Sequence, residues 1–453
     1  MRKLCLINLK MPWQYDPHSD PNLGLLSVAA SARSPEPGKE NLEIEWCDLS
    51  NQRDVPEADF YAMSATTLEY PLVKEMAEKI RSENKGCKII VGGVHFDVFS
   101  EDYWDKKIND LPFDVICRGE GESTIKRAID FASRNNEKKV ISQRGKLLNL
   151  EELAMPARDL LSERDYFKEG RTFSNTKMAG DAKSGTIMAS RGCPYSCSFC
   201  ASPSLHKKKL RFGSSKNVMN ELIELRTRYR VSDLRWQDDN FPLTLRKLKG
   251  LDNFLKDYGF RYRASLRTDP KSCNPNMLKR LWESGCREVG FGVESADQEV
   301  LNLNQKGTTV ENNLSAIRAA KDQGFLVRAF VMSGLPGETR DSGKRLAEFI
   351  ERNYLYLDTI TLTTFTPLPG CDIFNNPIKY NIKSLHQDWE RYNIAITRDF
   401  QEFPFVHEIN GLTRKEMVQN LERIKQTVFR RNLSNVNVYN DAAVGESYKS
   451  PIL

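Results

Sequence analysis

Arg191-Gly-Cys-Pro-Tyr-Ser-Cys-Ser-Phe-Cys200 carries three cysteines, Cys193, Cys197 and Cys200, at the spacing C-x3-C-x2-C. Thiolates packed this closely are soft ligands that select iron–sulfur clusters or zinc. A structural zinc site takes four protein ligands, and His206 is the only nearby candidate for the fourth. A four-iron cluster held by three cysteines leaves one iron open to bind and reduce a small molecule. The apolar run 185–190 precedes the stretch and reads as a strand. The cysteines therefore fall on the loop after a strand, where α/β folds place their chemistry.

With Phe199 before the last cysteine, the motif resembles the signature of the radical S-adenosylmethionine (SAM) enzymes. The resemblance implies that Cys193, Cys197 and Cys200 are the catalytic, metal-binding residues and hold a [4Fe–4S] cluster. It implies that SAM chelates the fourth iron and is cleaved reductively to a 5′-deoxyadenosyl radical. An external one-electron donor such as flavodoxin or ferredoxin would then feed the cluster.

The chain has 453 residues, 40% apolar and 28% charged, with a net charge of +6. That length suggests about three domains, and the composition is that of an ordinary globular protein. The mild positive charge suits an anionic ligand and makes no case for nucleic acid. No apolar run approaches the roughly 18 residues of a membrane span. The N-terminus reads as a first strand and not a signal peptide, because Lys10 and Pro12 interrupt it. Ten cysteines, scattered apart from the three, point to a reducing, cytoplasmic compartment and not a disulfide framework.

Residues 1–155 alternate strand patterns at 3–9, 43–49, 59–65, 88–92 and 114–117 with helices at 23–33 and 122–135. Leu72, Met76 and Ile80 mark one face of a further helix. This alternation predicts a Rossmann or flavodoxin-like parallel sheet covered on both faces, with its ligand beyond the carboxyl ends of the strands. Those ends read Ser64-Ala-Thr-Thr67, Gly92-Gly-Val-His95 and Arg118-Gly-Glu-Gly-Glu122. Glycine lets a bulky ligand approach the backbone, and hydroxyls bond its polar edges. Together with Asn22-Leu-Gly-Leu-Leu26 and the cysteines downstream, this order resembles the cobalamin (B12)-binding class of radical SAM enzymes. The resemblance implies Ser64, Thr66, Thr67, Gly92, Gly93, His95, Gly119 and Glu120 as cobalamin-binding residues. His18 and His95 lack the D-x-H-x-x-G flanks, so no histidine is expected as cobalt's lower ligand. Radical SAM methylthiotransferases also carry a leading α/β domain, where three cysteines bind a second cluster. Here Cys5, Cys47, Cys87 and Cys117 lie in or beside strands and read as structural thiols.

Residues 156–183 are polar and turn-rich and read as a linker. From 184 to 375, strands near 185–190, 233–239, 261–267, 288–294, 326–334 and 357–365 alternate with helical patterns. They predict a partial (β/α)6 barrel with the cluster at its C-terminal mouth. Polar residues end these strands: Asp238, Arg267, Glu294, Ser295 and the Gly334-Leu-Pro-Gly337 turn. Carboxylates and an arginine suit a zwitterionic, ribose-bearing ligand. Asp, Ser and Thr also cap helices at such places, and Asp238 fits either role. By resemblance Phe199, Arg267, Glu294, Ser295, Gly334 and Pro336 bind SAM, with Lys306 and Arg328 as further candidates.

Residues 376–453 read as a small, mainly helical C-terminal region, with Trp389, Tyr392 and Phe400 spread between charges. Met417, Leu421, Ile424 and Val428 line one face of a helix at 413–429, and the basic run 423–431 lies on a solvated face. The sequence thus reads as a radical SAM enzyme, a cobalamin-dependent methyltransferase that acts on an unactivated carbon of a small-molecule or natural-product substrate. Cobalamin-linked cyclisation or rearrangement, methylthiolation, and a zinc-stabilised binding protein are the alternatives.

Overall fold

The computed structural model describes residues 2–9, 18, 20–34, 41–51, 54–143, 146–173, 181–389, 392 and 405–433. Phe400 and the polar tail from 434 lie outside the described residues. Strands β1 (Lys3–Asn8), β2 (Glu43–Asp48), β3 (Phe60–Ser64), β4 (Lys88–Gly92), β5 (Val115–Arg118) and β6 (Lys139–Ser142) form one parallel sheet in the order β2-β1-β3-β4-β5-β6. This is the doubly wound flavodoxin-like order, extended by one edge strand. In sheets of this class ligands bind beyond the carboxyl ends of the strands. The sixth strand was not foreseen. It is only four residues long and begins with Lys139, directly after Lys138.

The helix Leu23–Arg33 starts where expected, because Asn22 Oδ1 accepts the Leu25 N–H at 2.9 Å. The expected helix is present as Tyr70–Glu83; it buries Val73, Ala77 and Ile80 against the sheet, with Met76 partly buried beside them. Two apolar clusters cover the two faces of the sheet. Cys5, Cys47, Cys87 and Cys117 are all buried.

Strands β7 (Lys183–Ile187), β10 (Val231–Trp236), β11 (Arg261–Leu266), β12 (Cys286–Glu294), β13 (Leu326–Ser333) and β14 (Thr359–Thr364) form a second parallel sheet, ordered β14-β13-β12-β11-β10-β7. In β11, Tyr262, Ala264 and Leu266 alternate toward the helical layer while Arg261, Arg263 and Ser265 face the other way. Two short strands, β8 (Ser190–Arg191) and β9 (Arg211–Phe212), pair antiparallel beside the mouth.

The described part of the connecting segment, 156–173, packs against both sheets. Arg158 is buried, with its guanidinium 2.6 Å from Glu221 of the barrel and donating to the Thr186 carbonyl at 2.8 Å. Tyr166 donates its hydroxyl to Asp48 of the first sheet at 2.5 Å. The C-terminal region splits in two. A hairpin of β15 (Ile382–Leu385) and β16 (His407–Ile409) packs with Leu335 and Phe365 at the barrel mouth. The helix Arg414–Arg430 has a capping box at Thr413 and Glu416, and Ile424 and Val428 join the barrel core. Arg430 and Arg431 of its basic run pair with Glu351 on the neighbouring helix.

Candidate active site

After β7 the chain runs through Met188 and Ala189 into β8. Arg191 of β8 sits opposite Arg211 of β9. Residues 192–210 between these stems form a single excursion that carries all three cysteines. Gly192 opens it at φ +95°, and a Cβ there would lie 2.2 Å from the Lys209 carbonyl oxygen. The two ends of the excursion thus meet at a glycine, where no side chain fits. Beneath it, the buried Asp238 accepts from the Ala189 N–H at 3.0 Å, Ser190 Oγ at 2.5 Å and Thr244 Oγ1 at 2.8 Å. Burial raises its carboxyl to about 6. Asp238 therefore secures the strand end.

Cys197 is buried, and Cys193 and Cys200 are half-buried. Burial raises the thiols of Cys193 and Cys200, the latter to about 11, and neighbouring sulfurs push them the same way. Such thiols ionise when a cationic metal centre binds them. Arg267 Nη1 donates to Cys197 Sγ at 3.1 Å. Its guanidinium lies 3.8 Å from the centre of the Tyr195 ring, and its Nε donates to Asp269 at 3.1 Å. Tyr195 donates to the same Asp269 carboxylate at 3.1 Å. The three thiols share one loop and influence one another electrostatically, and thiolates are the donor set of an iron–sulfur cluster, but among the described residues no three His, Cys, Asp or Glu side chains are gathered closely enough to hold one metal ion. His206, the fourth ligand of the zinc reading, has Nδ1 3.4 Å from Arg211 Nη2 at the domain interface.

Glu294 ends β12 at φ +61°, where the register to β13 shifts. This bulge re-aims its side chain. The buried carboxylate meets Lys306 Nζ at 2.6 Å, and that ammonium lies 5.6 Å from the centre of the Phe199 ring. Phe199, Lys306 and Glu294 therefore share one side of the cysteine loop. Ser295 Oγ accepts the Asp297 N–H at 3.1 Å, a local turn bond. Arg328 sits in the first half of β13, paired with Glu288 at 3.3 Å and away from the mouth.

Gly334 adopts φ +92°, and a Cβ there would lie 2.5 Å from the Phe405 ring. The Gly334 and Leu335 N–H groups donate to Glu338 Oε1 at 2.8 and 3.1 Å, and the Gly334 carbonyl lies 2.8 Å from His407 Nε2. Burial lifts the Glu338 carboxyl to about 7 and lowers the His407 imidazole to about 4. Asn304 joins the two loops. Its Nδ2 donates to the Pro336 carbonyl at 2.8 Å, and its own carbonyl accepts the Ser198 N–H at 3.0 Å.

At the carboxyl edge of the first sheet, Ser64, Gly92, Gly93 and Gly119 are half-buried and Thr66 is exposed. Gly93, at φ +100°, lies against Ser64 and Ala65; a Cβ would meet Ser64 Oγ at 2.6 Å. Gly119, at φ +97°, donates to Asp97 Oδ1 at 2.5 Å. These positions form an open, small-residue edge that fits a flat, bulky cofactor. Thr67 and His95 turn inward instead. Thr67 Oγ1 lies 3.2 Å from His95 Nδ1, the imidazole stacks on Tyr70 at 4.2 Å, and burial lowers it to about 3. Trp389 reaches this cluster from the C-terminal region, 5.5 Å from His95. Glu120 also differs from its expected place: both its oxygens are taken by Arg191, Arg211 and the Leu148 N–H.

Tyr195, Asn304, Glu338, Phe405 and His407 were not singled out from the sequence. Tyr195 lies inside the cysteine motif, and Glu338 closes the Gly334-Leu-Pro-Gly-Glu338 turn, so both carried a local signal. Asn304 and His407 carried none, because their partners lie 32 to 106 residues away.

Residues 187–350 match the Radical SAM superfamily and residues 21–129 match the B12 binding domain. An uncharacterized methyltransferase of Pyrococcus horikoshii is 27% identical over 391 residues, covering 82% of this chain and 81% of that protein. The bacteriochlorophyllide d C-8(2)-methyltransferase of Chlorobaculum tepidum is 22% identical over 377 residues, covering 81% and 78%. Among solved structures, the radical SAM methyltransferase TsrM from Kitasatospora setae, with cobalamin and a [4Fe–4S] cluster bound, superposes with a TM-score of 0.62. That match has 17% identity over 93% of this chain and 91% of TsrM, and it shows a shared fold. The three-cysteine excursion at the mouth of a six-stranded half-barrel, behind a doubly wound sheet, thus belongs to a radical SAM enzyme of the class with an N-terminal B12-binding domain.

Proposed function

We propose that this chain is a cobalamin-dependent methyltransferase that adds a methyl group to an unactivated carbon of a small-molecule substrate. One juxtaposition carries the reading. The helix Val94–Val98, directly after Gly92 and Gly93, packs against the helix Ser202–Leu205, which begins two residues after Cys200. Val98 also fills the space over Gly370 of the barrel, where a Cβ would come within 2.6 Å. The edge that suits the corrin and the loop that suits the cluster are therefore neighbours where the two domains pack. The methyltransferase names of both relatives support the same reaction class.

In this reading Cys193, Cys197 and Cys200 hold the cluster. Phe199, Arg267, Glu294, Ser295, Gly334 and Pro336 surround SAM, while Ser64, Thr66, Gly92, Gly93 and Gly119 line cobalamin. Bound there, the cluster with SAM supplies a 5′-deoxyadenosyl radical, and cobalamin supplies a methyl group. Hydrogen bonding from Arg267 to Cys197 Sγ favours the more negative, reduced charge state. Glu294 accepts hydrogen bonds from an ammonium or ribose hydroxyl, and Lys306, 2.6 Å away, orients that carboxylate. The packed hairpin β15–β16 braces the Gly334 turn and helps exclude water. A flavodoxin or ferredoxin in the cytoplasm would supply electrons, a setting that suits ten free cysteines. Among the described residues no helix is long and apolar enough to cross a membrane.

Anaerobic reconstitution tests this directly. The protein should bind about four irons and take up hydroxocobalamin, and label from methyl-labelled SAM should appear on a carbon of the product. Uptake of a second cluster in place of cobalamin, with transfer of sulfur, would move the assignment to methylthiolation.

A further inference from the structure

Two arginines stand opposite one another at the stems of the cysteine excursion, and one carboxylate from the other domain holds both. Glu120 Oε1 accepts from Arg191 Nη1 and Arg211 Nη2, each at 2.9 Å. Glu120 Oε2 accepts from Arg211 Nη1 at 2.8 Å and from the Leu148 N–H at 2.7 Å. Arg191 Nη2 donates to Glu122 Oε1 at 2.5 Å, and Arg211 Nη1 to the Leu148 carbonyl at 2.7 Å. The four charged side chains are nearly buried, at 14% exposure for Arg191, Arg211 and Glu120 and 5% for Glu122. Two guanidiniums and two carboxylates balance. Burial works against the Glu120 carboxylate, yet the arginine bonds outweigh it and hold it below its ordinary range.

A buried, balanced network of this kind adds little net stability, because desolvation offsets the attraction; what it fixes is geometry. The geometry here is short. Glu120 follows Gly119 of the corrin edge, and Arg191 stands two residues before Cys193. The path from one cofactor region to the other is therefore Gly119–Glu120 to Arg191–Gly192–Cys193, with one hydrogen-bonded step.

We propose that Glu120 is a positioning residue that clamps both stems of the cysteine excursion, so that cobalamin binding and cluster assembly are energetically coupled. This rests on the reading that the chain binds both cofactors. It assigns Glu120 to the domain clamp and not to the corrin. Coupling between two sites is reciprocal. The cluster-loaded protein should therefore bind cobalamin more tightly than the cluster-free protein, by at least about fivefold if the coupling is of ordinary size.

The test is a hydroxocobalamin titration, followed by its visible absorbance, of the full chain with and without a reconstituted cluster. Wild type, Glu120→Gln and Arg211→Lys are compared. Electron paramagnetic resonance of the reduced cluster, with and without cobalamin, is the second readout. Wild type should show the affinity difference and a spectral change on cobalamin addition. Glu120→Gln should bind cobalamin like the cluster-free wild type in both states, and its cluster spectrum should not respond. Arg211→Lys keeps the charge but cannot span both Glu120 oxygens, so its coupling should fall between the two. It also serves if Glu120→Gln fails to fold. The proposal is overturned if a variant keeps the full coupling, if wild type shows none, or if Glu120→Gln weakens binding to the cluster-free protein. Wild type that takes up no cluster or no cobalamin would instead overturn the underlying functional reading, a result the first titration separates.

Discussion

Replacing Gly192 by alanine places one methyl group where the chain re-enters the cysteine excursion. At φ +95° an L-residue carries a backbone cost of about 1–2 kcal/mol. The new Cβ would also lie 2.2 Å from the Lys209 carbonyl oxygen and 2.8 Å from His206 Cβ. The first of these is backbone and cannot rotate aside, so the excursion itself must shift, at an overpacking cost of about 1–3 kcal/mol. The sum, about 2–5 kcal/mol, changes the population of the native loop by roughly 30-fold to several thousand-fold. The shift falls one residue from Cys193. Gly192→Ala should therefore fold, since the barrel core is untouched, but should reconstitute with well under half the wild-type iron and lose the cluster absorbance to match. Iron and sulfide analysis beside a thermal melt measures both. A variant with full iron content and an unchanged reduced-cluster spectrum would refute the argument that the stem contact sets the cysteine geometry.

Other perturbations act on separate parts of the site. Lys306→Met leaves the buried Glu294 carboxylate without its partner 2.6 Å away; thermal stability should fall by about 3–5 kcal/mol, and Lys306→Met combined with Glu294→Gln should recover most of it. His407 titrates near 6.5 unfolded but near 4 folded. Below pH 6.5 the unfolded chain takes a proton that the folded chain refuses, so stability falls as pH drops, by about 2 kcal/mol at pH 5. In His407→Gln, whose amide can still donate to the Gly334 carbonyl, that part of the loss should vanish from urea midpoints compared at pH 7 and 5; equal losses would count against it. Gly343→Ala would set a Cβ 2.4 Å from Asn420 Cα of the C-terminal helix, costing about 1–3 kcal/mol in a denaturant melt while iron content stays at the wild-type level.

Both parallel sheets were legible from strand–helix alternation, and the cysteines from their spacing, because each signal lies within a few residues along the chain. The strand ends at Ser64, Gly92 and Arg118 were legible in the same way, as a small or polar residue after an apolar run, whereas the inward turn of Thr67 and His95 was not. The edge strand β6 was not, since four residues opened by lysine carry too little periodicity. The helix Tyr70–Glu83 was legible from its periodicity, but that Val73 and Ala77 are buried more deeply than Leu72 and Met76 was decided by the sheet it packs on.

What the amino-acid sequence determined by itself is the set of chemical groups and the elements that carry them. Three thiols on a loop after a strand supply soft metal ligands wherever the loop finally sits. Only the tertiary structure decided which polar groups were spent on packing. Thr67 and His95 turned inward, with His95 stacked on Tyr70, Asp238 tied down Ala189 and Ser190 at the start of β8, and Glu120 bonded two arginines 71 and 91 residues further along the chain. A buried charge takes the nearest opposite charge, and which one is nearest is a property of how the two sheets dock.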